Sequence, residues 1–148
     1  MKSIFEESTR KEIVSRINSV NQQSNAQWGK MNAAQMLHHC ALCDDMFLGK
    51  INIKRVLIGR LIGKLVLKKA LMENVPFQKN SPTSPVLKTH GKHTDLAQQK
   101  REWISRIEQY DNYTLTGFVH PFFGPMTREQ VGHLAYKHAD HHLRQFGA

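Results

Sequence analysis

The chain closes with the segment Met126-Thr-Arg-Glu-Gln-Val-Gly-His133-Leu-Ala-Tyr-Lys-His138-Ala-Asp-His141-His142-Leu-Arg-Gln145-Phe-Gly147. Thr127 and Gln130 have the spacing of a capping box, which predicts a helix start, and Gly147 supplies the left-handed residue that commonly ends a helix. At 3.6 residues per turn, one face of this helix changes along its length from apolar side chains to imidazoles. That face comprises Val131, Leu134, Ala135, His138, His142 and Gln145. We therefore expect a long helix whose core-facing side includes histidines.

Two histidines one turn apart on an inward face need an explanation, because burying an imidazole costs free energy unless both ring nitrogens find partners. His138 and His142 stand at i and i+4, a spacing that recurs in helical zinc sites because both rings can point at one ion. The alternative is that both are half-exposed or are hydrogen-bonded in the core. Their joint position on the inward face favours the metal site.

The whole chain has 148 residues, which is the size of a single domain, and we expect one domain over residues 1–148. The N-terminus lacks the apolar run of a signal peptide, and no stretch approaches the ~20 apolar residues of a membrane span. The two cysteines, Cys40 and Cys43, form no disulfide framework. These features predict a soluble, cytoplasmic protein.

The formal net charge is +9, and the excess of basic residues is concentrated in residues 50–69, which contain seven Lys and Arg and no acid. Such a field attracts anions, namely nucleic acid, anionic lipid or an acidic small molecule. The simpler interpretation, which we favour, is a solvated helix face. No nucleic-acid-binding motif is present, and aromatic residues do not alternate with the basic ones. Neither nucleic acid nor a membrane is therefore favoured as a partner.

Periodicity predicts four further helices, over residues 9–21, 33–48, 53–72 and 94–110. Thr9 with Glu12, and Asn32 with Gln35, are expected capping pairs of the first two helices. The helix over residues 53–72 is apolar almost all round, with two glycines spaced for the close approach of another helix. Residues 74–91 contain three prolines and are predicted to form a long loop. The pattern predicts an all-α four-helix bundle, with either the N-terminal or the basic helix as an extra one.

The second predicted helix carries chemistry-bearing residues whose direction periodicity does not decide. His38 and His39 lie on different faces, and both faces are mixed. Cys40 and Cys43 have the spacing of a redox or metal pair, but they begin two turns inside the helix rather than at its N-terminus. We interpret them as small core residues, with a chelate of His39 and Cys43 as the alternative. In a bundle, a metal site would combine one of the two histidines with the pair on the last helix.

Three segments resemble the DinB/YfiT-like superfamily. They read Trp28-Gly-Lys-Met-Asn-Ala-Ala-Gln-Met-Leu-His-His39-Cys40, His120-Pro-Phe-Phe-Gly124-Pro-Met-Thr127 and His138-Ala-Asp-His-His142-Leu-Arg-Gln145-Phe-Gly147. More closely, they resemble an uncharacterised branch whose members end in a histidine-rich helix followed by Arg-Gln-Phe. The resemblance spans most of the chain and is weakest over residues 50–91.

The resemblance implies a four-helix bundle, commonly dimeric, in which three histidines hold a divalent metal ion. Carried over to this chain, the ligands are His39, His138 and His142. The usual Arg-Gly-Gln tail of the superfamily is Leu143-Arg-Gln145 here, so the glutamine keeps its place while the arginine is displaced. His141 is additional, which leaves a His138 and His141 pair as an alternative. We expect Zn or Ni, with Fe or Co as alternatives, because imidazole suits all four.

The function that the resemblance implies is that of a metal-dependent enzyme, since characterised relatives include transferases that use a low-molecular-weight thiol and the superfamily is described as metal-dependent hydrolases. We expect a small-molecule substrate, which the basic residues would favour as an anion. We also expect a homodimer. His120 is the candidate catalytic residue, for proton transfer or support of a ligand, although a packing role beside Pro121 is the alternative. Two other functions remain: a non-catalytic metal-binding bundle, and a basic binder of nucleic acid or membrane surfaces.

Overall fold

Helices account for most of the chain in the computed structural model, which describes residues 1–89 and 95–148. The α-helices of this described part are α1 (Glu7–Ser19), α2 (Ala33–Phe47), α3 (Leu57–Ala70), α4 (Leu96–Gln109) and α5 (Arg128–Gln145). Single 3-10 turns occupy Pro85–Leu87 and Tyr110–Asn112. Two short antiparallel strands, β1 (Val119–His120) and β2 (Gly124–Pro125), lie between α4 and α5. The predicted all-α fold is confirmed, although the sequence analysis missed the strand pair.

The helix starts show which capping predictions hold. Asn32 and Thr127 each accept a hydrogen bond from the backbone amide three residues on, and their own backbone amides donate to the side-chain oxygens of Gln35 and Gln130, so both capping boxes are confirmed. The predicted box at Thr9 is wrong. There α1 already begins at Glu7, and the buried Thr9 hydroxyl donates to the Glu6 carboxylate at 3.2 Å instead of capping a helix.

Four helices form the bundle, in which α2 packs against α4 and α5 while α1 packs against the same two partners. Their shared core includes fully buried Ile13, Leu37, Trp103 and Leu143. Burial of these apolar side chains is the main favourable term in holding the helices together. The helix outside this set is α3, so the extra helix left open by the sequence is the basic one and not the N-terminal one.

The placement of α3 corrects the prediction of a bundle helix over residues 53–72. Gly59 and Gly63 do face a close neighbour, but this neighbour is the backbone of Phe122 in the turn between β1 and β2 rather than another helix. A Cβ at either glycine would collide with the Phe122 carbonyl oxygen. Glycine is therefore required for this helix to lie against the strand pair, although each costs helix stability.

The proline-containing loop predicted over residues 74–91 is described only as far as residue 89, and the predicted helix start at residue 94 also lies outside the described residues. Within the described part, Leu87 of the 3-10 turn is buried, while its neighbour Val86 is exposed. The turn packs against α2. Among the described helices, none has the length and apolar character needed to cross a membrane.

Candidate metal centre

Two helices of the bundle bring three histidines together. His39 comes from α2, and His138 and His142 come from successive turns of α5. The ring centroids lie 5.3 Å apart for His39 and His138, 4.9 Å for His39 and His142, and 4.7 Å for His138 and His142. One ring nitrogen of each lies within 4.8 Å of one nitrogen of each of the others, so this group could hold a metal ion. The structure thus brings together the three residues that were predicted as ligands.

The orientation of His39 follows from a backbone contact made by the proline-containing loop. Its Nδ1–H donates to the carbonyl oxygen of Leu87 at 2.8 Å. Because a carbonyl can only accept, this hydrogen bond places the proton of the neutral ring on Nδ1 and makes Nε2 the nitrogen with an available lone pair, which faces the Cys43 thiol. The arrangement is the one usual for metal-binding histidines, in which the second nitrogen is held by a carbonyl or carboxylate oxygen.

His142 is held in the same way by a side chain one turn further along α5. Its Nδ1–H donates to Gln145 Oε1 at 2.8 Å, and the Gln145 amide nitrogen donates to the Trp28 carbonyl at 2.6 Å. Since only the NH₂ group can donate to Trp28, the oxygen of Gln145 must face His142. Gly29 has φ +83° and lies so close to the Gln145 amide that a Cβ there would clash with it. The Trp28-Gly29 pair therefore positions Gln145, which in turn leaves Nε2 of His142 free.

Burial keeps all three histidines neutral at neutral pH. Desolvation lowers the pKa of His39, and it lowers the pKa of His142 to about 3, with the nearby His39 adding to the effect. The pKa of His138 lies well below its usual value, first because of burial and then because of His142 and His39. Neutral imidazole is the form that binds metals, so the protein does not have to expel protons to load these nitrogens.

His120 lies on β1, near enough to His138 to contribute to the lowering of its pKa. Its Nδ1 accepts hydrogen bonds from the backbone amides of Phe122 and Phe123 at 3.1 and 3.2 Å, so the ring proton resides on Nε2. Burial lowers the pKa of His120 to about 4. At neutral pH this ring can therefore donate a hydrogen bond from Nε2 but is a poor proton acceptor, and its part in catalysis stays a prediction.

The two cysteines are buried and free, which fits their interpretation as core residues. Burial raises the pKa of both thiols well above the usual value, so neither is a ready nucleophile. Cys40 contacts Met36, one turn back on α2. Cys43, however, has its sulfur 3.7 Å from Nε2 of His39, within the hydrogen-bond distance of a thiol. This places a thiol beside the nitrogen that would bind a metal.

The histidines that were weighed as substitute ligands take other positions. His38 Nδ1 contacts the Gln99 side-chain oxygen on α4 at 3.0 Å. The ring of His141 packs against Trp28 and Phe77, with centroids 5.4 and 5.9 Å away. Within the part of the chain that is described, neither belongs to the group that could share an ion. The choice between His38 and His39 is thus made by how α2 packs, which periodicity did not decide.

A family model described as "Protein of unknown function (DUF1569)" matches residues 5–148. The chain belongs to the DUF1569 family. Comparison with curated proteins and with solved structures finds no match. The family assignment drawn from the three motifs is therefore wrong as stated, since the match over nearly the whole chain is to DUF1569 and not to a DinB family. A function for this DUF1569 protein has to be argued from its own geometry.

Sequence reasoning missed two carbonyl oxygens behind the predicted ligands of this DUF1569 protein. The Leu87 carbonyl accepts from His39, and the Trp28 carbonyl accepts from Gln145, the partner of His142. Both are backbone atoms, which every residue type carries, so no side-chain pattern announces them. Gly29 is the partial exception. A glycine directly after Trp28 was a visible signal of close approach by another group.

Proposed function

We propose that this protein is a metal-dependent enzyme that holds one divalent ion through Nε2 of His39, Nε2 of His142 and a ring nitrogen of His138. The observation that supports the proposal is the pairing of three convergent, neutral imidazoles with fixed outer partners, Leu87 on one and Gln145 on another. Residues that served only to fill a core would not need one ring nitrogen from each of three histidines within 4.8 Å of the others, because buried polar atoms are stabilised by hydrogen bonds to separate partners.

Three protein ligands leave a further coordination position open, which distinguishes catalytic from structural zinc sites. A zinc-like ion at such a site supplies a Lewis acid that lowers the pKa of a bound water or thiol enough to make a nucleophile near neutral pH. The reaction class is therefore a hydrolysis or a thiol transfer. The chain contributes neutral ligands, a largely water-excluded surrounding, and the Nε2–H donor of His120. Zn or Ni is the expected ion, and a cytoplasmic homodimer acting on a small anionic molecule stays a prediction.

A second candidate is a closed, non-catalytic metal site, and the position of Cys43 favours it. The sulfur lies 3.7 Å from Nε2 of His39, so a modest movement would make it the fourth ligand. Against this, the pKa of the Cys43 thiol is raised by burial and then by nearby Asp44. A metal would have to displace that proton before the thiolate could bind.

Metal analysis of untagged protein tests the lead proposal. Wild-type protein should carry about one divalent ion per chain, and His138→Ala should carry almost none. The matched control is His133→Ala, on the same helix but hydrogen-bonded through Nδ1 to the Lys2 carbonyl, and it should retain the ion. Equal metal content in both variants, or none in the wild type loaded with Zn, Ni, Co or Fe, would end the proposal.

Cobalt loading separates the open site from the closed one. A thiolate ligand gives Co²⁺ an intense near-ultraviolet charge-transfer band, whereas three imidazoles do not. The open site predicts no such band and full metal content in Cys43→Ser. A band that disappears in Cys43→Ser, together with loss of the ion, would assign the closed site and remove the enzyme proposal.

A further inference from the structure

The outer face of α3 presents apolar side chains to solvent. Most of the exposed large apolar residues in the described part of the chain lie on this helix or at its N-cap. They are Val56, Leu57, Ile58, Leu61, Ile62 and Leu65. Leu57, Leu61 and Leu65, at i, i+4 and i+8, are 78%, 83% and 72% exposed. Contiguous apolar surface of this kind is uncommon on a protein without a partner and marks an interaction site.

Basic side chains border this apolar face. On a 3.6-residue period the exposed leucines and isoleucines occupy one arc, and Arg60, Lys64 and Lys68 follow one another along its edge. All three are exposed. The opposite side of α3, with Gly59, Gly63 and Leu67, is the side that is buried against the protein. The apolar arc therefore points outward with positive charge beside it.

The helix is held firmly in this orientation at both ends. At the start, the Val56 amide donates to the Pro121 carbonyl at 3.0 Å, and Gly59 and Gly63 lie against the Phe122 carbonyl. At the end, Lys137 on α5 donates to the carbonyls of Ala70, Met72 and Val75, at 2.7 to 2.8 Å. The face is thus presented as a fixed surface, so binding does not need to order it first.

We propose that this outer face of α3 docks the protein onto an anionic lipid surface, with the helix lying in the plane of the membrane. Leucine and isoleucine side chains would enter the boundary between headgroups and acyl chains, while the lysines extend to the phosphates. Between Met46 and Met72 the chain carries seven basic residues and no acid, so the surface meets anionic headgroups without opposing charge. No described helix is able to cross a membrane, which fits a helix that lies on the surface.

A second copy of the chain is a poorer occupant of the same face. Pairing two α3 helices would bring their lysines and arginines together with no acid on either helix to balance them. The acids that flank this stretch already have partners: Asp45 pairs with Lys50 and Arg106, and Glu73 pairs with the N-terminal amine. Nucleic acid would match the charge but leaves the leucines uncovered. Lipid is the occupant that satisfies both the apolar and the charged groups.

Vesicle sedimentation of the full-length protein tests the proposal. The protein should sediment with phosphatidylcholine vesicles that contain phosphatidylserine, only weakly with phosphatidylcholine alone, and less as salt rises. The double variant Leu61→Ser, Leu65→Ser should bind about tenfold more weakly, and Lys64→Glu, Lys68→Glu about 100-fold more weakly. The charge-matched control is the double variant Lys30→Glu, Arg101→Glu, at exposed positions before α2 and on α4. It changes the net charge by the same amount as the α3 lysine variant and should bind as the wild type does.

The variants should keep the wild-type melting temperature, because the four replaced side chains are exposed. Light scattering without lipid must show that the two leucine replacements leave the oligomeric state unchanged. A dimer that dissociates in this variant would assign the face to a second copy. Absent vesicle binding, or binding unaffected by the lysine replacements, would also overturn the proposal. If the protein binds DNA but not vesicles, and the leucine replacements do not weaken DNA binding, the basic residues would be a nucleic-acid site instead.

Discussion

The histidine cluster buries imidazole rings, whereas the outer face of α3 exposes leucine side chains. His142 in the histidine cluster is only 9% exposed, whereas Leu61 on the outer face of α3 is 83% exposed. Each region reverses the usual distribution of polar and apolar side chains. In the histidine cluster the cost of burial is offset within the chain, because carbonyl and amide oxygens hold two of the rings. On α3 nothing within the described chain covers the leucines.

The difference between the two regions indicates what each still requires. In the cluster, His39 and His142 have their outer hydrogen bonds in place, and one nitrogen of each of the three rings lies within 4.8 Å of the others, so a small ion would complete it. The α3 face has no directed polar groups, only an apolar arc with charge at its edge, so an extended surface would complete it. The histidine cluster therefore suits a single small ion, and the α3 face suits an extended surface.

Replacing a leucine by alanine in the bundle core and on the α3 face should give the largest difference in stability. Leu37→Ala, in the fully buried core of the bundle, should lower the free energy of unfolding by about 2–5 kcal/mol, because it removes buried methyl groups and leaves a cavity. Leu65→Ala on α3 should change it by less than about 0.5 kcal/mol. Urea denaturation of both variants measures the two values. Similar losses for both would mean that the α3 face is covered in the free protein.

A second buried polar group allows a pH test of the bundle interior. Asp44 on α2 is buried and accepts hydrogen bonds from Trp103 Nε1 and the Tyr110 hydroxyl, both at 2.7 Å. Burial raises the pKa of Asp44 to about 7. Above about pH 4 the unfolded chain has lost this proton while the folded protein keeps it until about pH 7. The folded state therefore binds more protons in this window, and its stability falls as pH rises, by at most roughly 4 kcal/mol.

Asp44→Asn should remove this dependence, since the amide does not titrate and can still pair with both neighbours. The quantity to measure is the difference in unfolding free energy between wild type and variant from pH 4 to pH 7, with a chelator present to exclude metal effects. The lowered pKa values of the clustered histidines reduce the free energy of unfolding as pH falls. This effect is the same in both proteins and cancels in the difference. A constant difference across this range would show that Asp44 is ionised throughout.

The smallest expected effect concerns the partner of His142. Gln145→Leu should weaken zinc binding by about 10- to 100-fold, or about 1.4–2.7 kcal/mol, because the ring loses the oxygen that fixes its orientation. The control is Gln99→Leu, which removes the same kind of contact from His38, a histidine outside the cluster. Competition with a zinc chelator gives both dissociation constants. Equal values for the two variants would mean that the Gln145 contact does not support metal binding.

Local signals in the sequence predicted much of the fold. The capping boxes at Asn32 and Thr127 involve neighbours within one turn, so α2 and the long α5 could be assigned from spacing alone. The same reasoning failed at Thr9, where burial and a hydrogen bond to Glu6 prevailed over the local pattern. It also failed for α3, whose apolar residues surround the helix and carry no information on which side is covered.

For the candidate site, residue type and spacing identified His138 and His142 as a pair on one helix face, because both belong to a single element. The choice of His39 came from the motif resemblance, since the helical pattern left His38 equally acceptable. Placing His39 within reach of the other two rings depended on the packing of α2 against α5. That these residues bind a metal stays a prediction.

The amino-acid sequence by itself determined the helical elements, the histidine pair on α5 and the concentration of basic charge in residues 50–69, because each depends on residues close together along the chain. Only the tertiary structure decided that His39 faces the pair, that the Leu87 and Trp28 carbonyls hold the ligands in position, and that α3 lies outside the bundle. These features depend on backbone atoms and on contacts between distant segments. Neither is encoded in the local pattern of side chains.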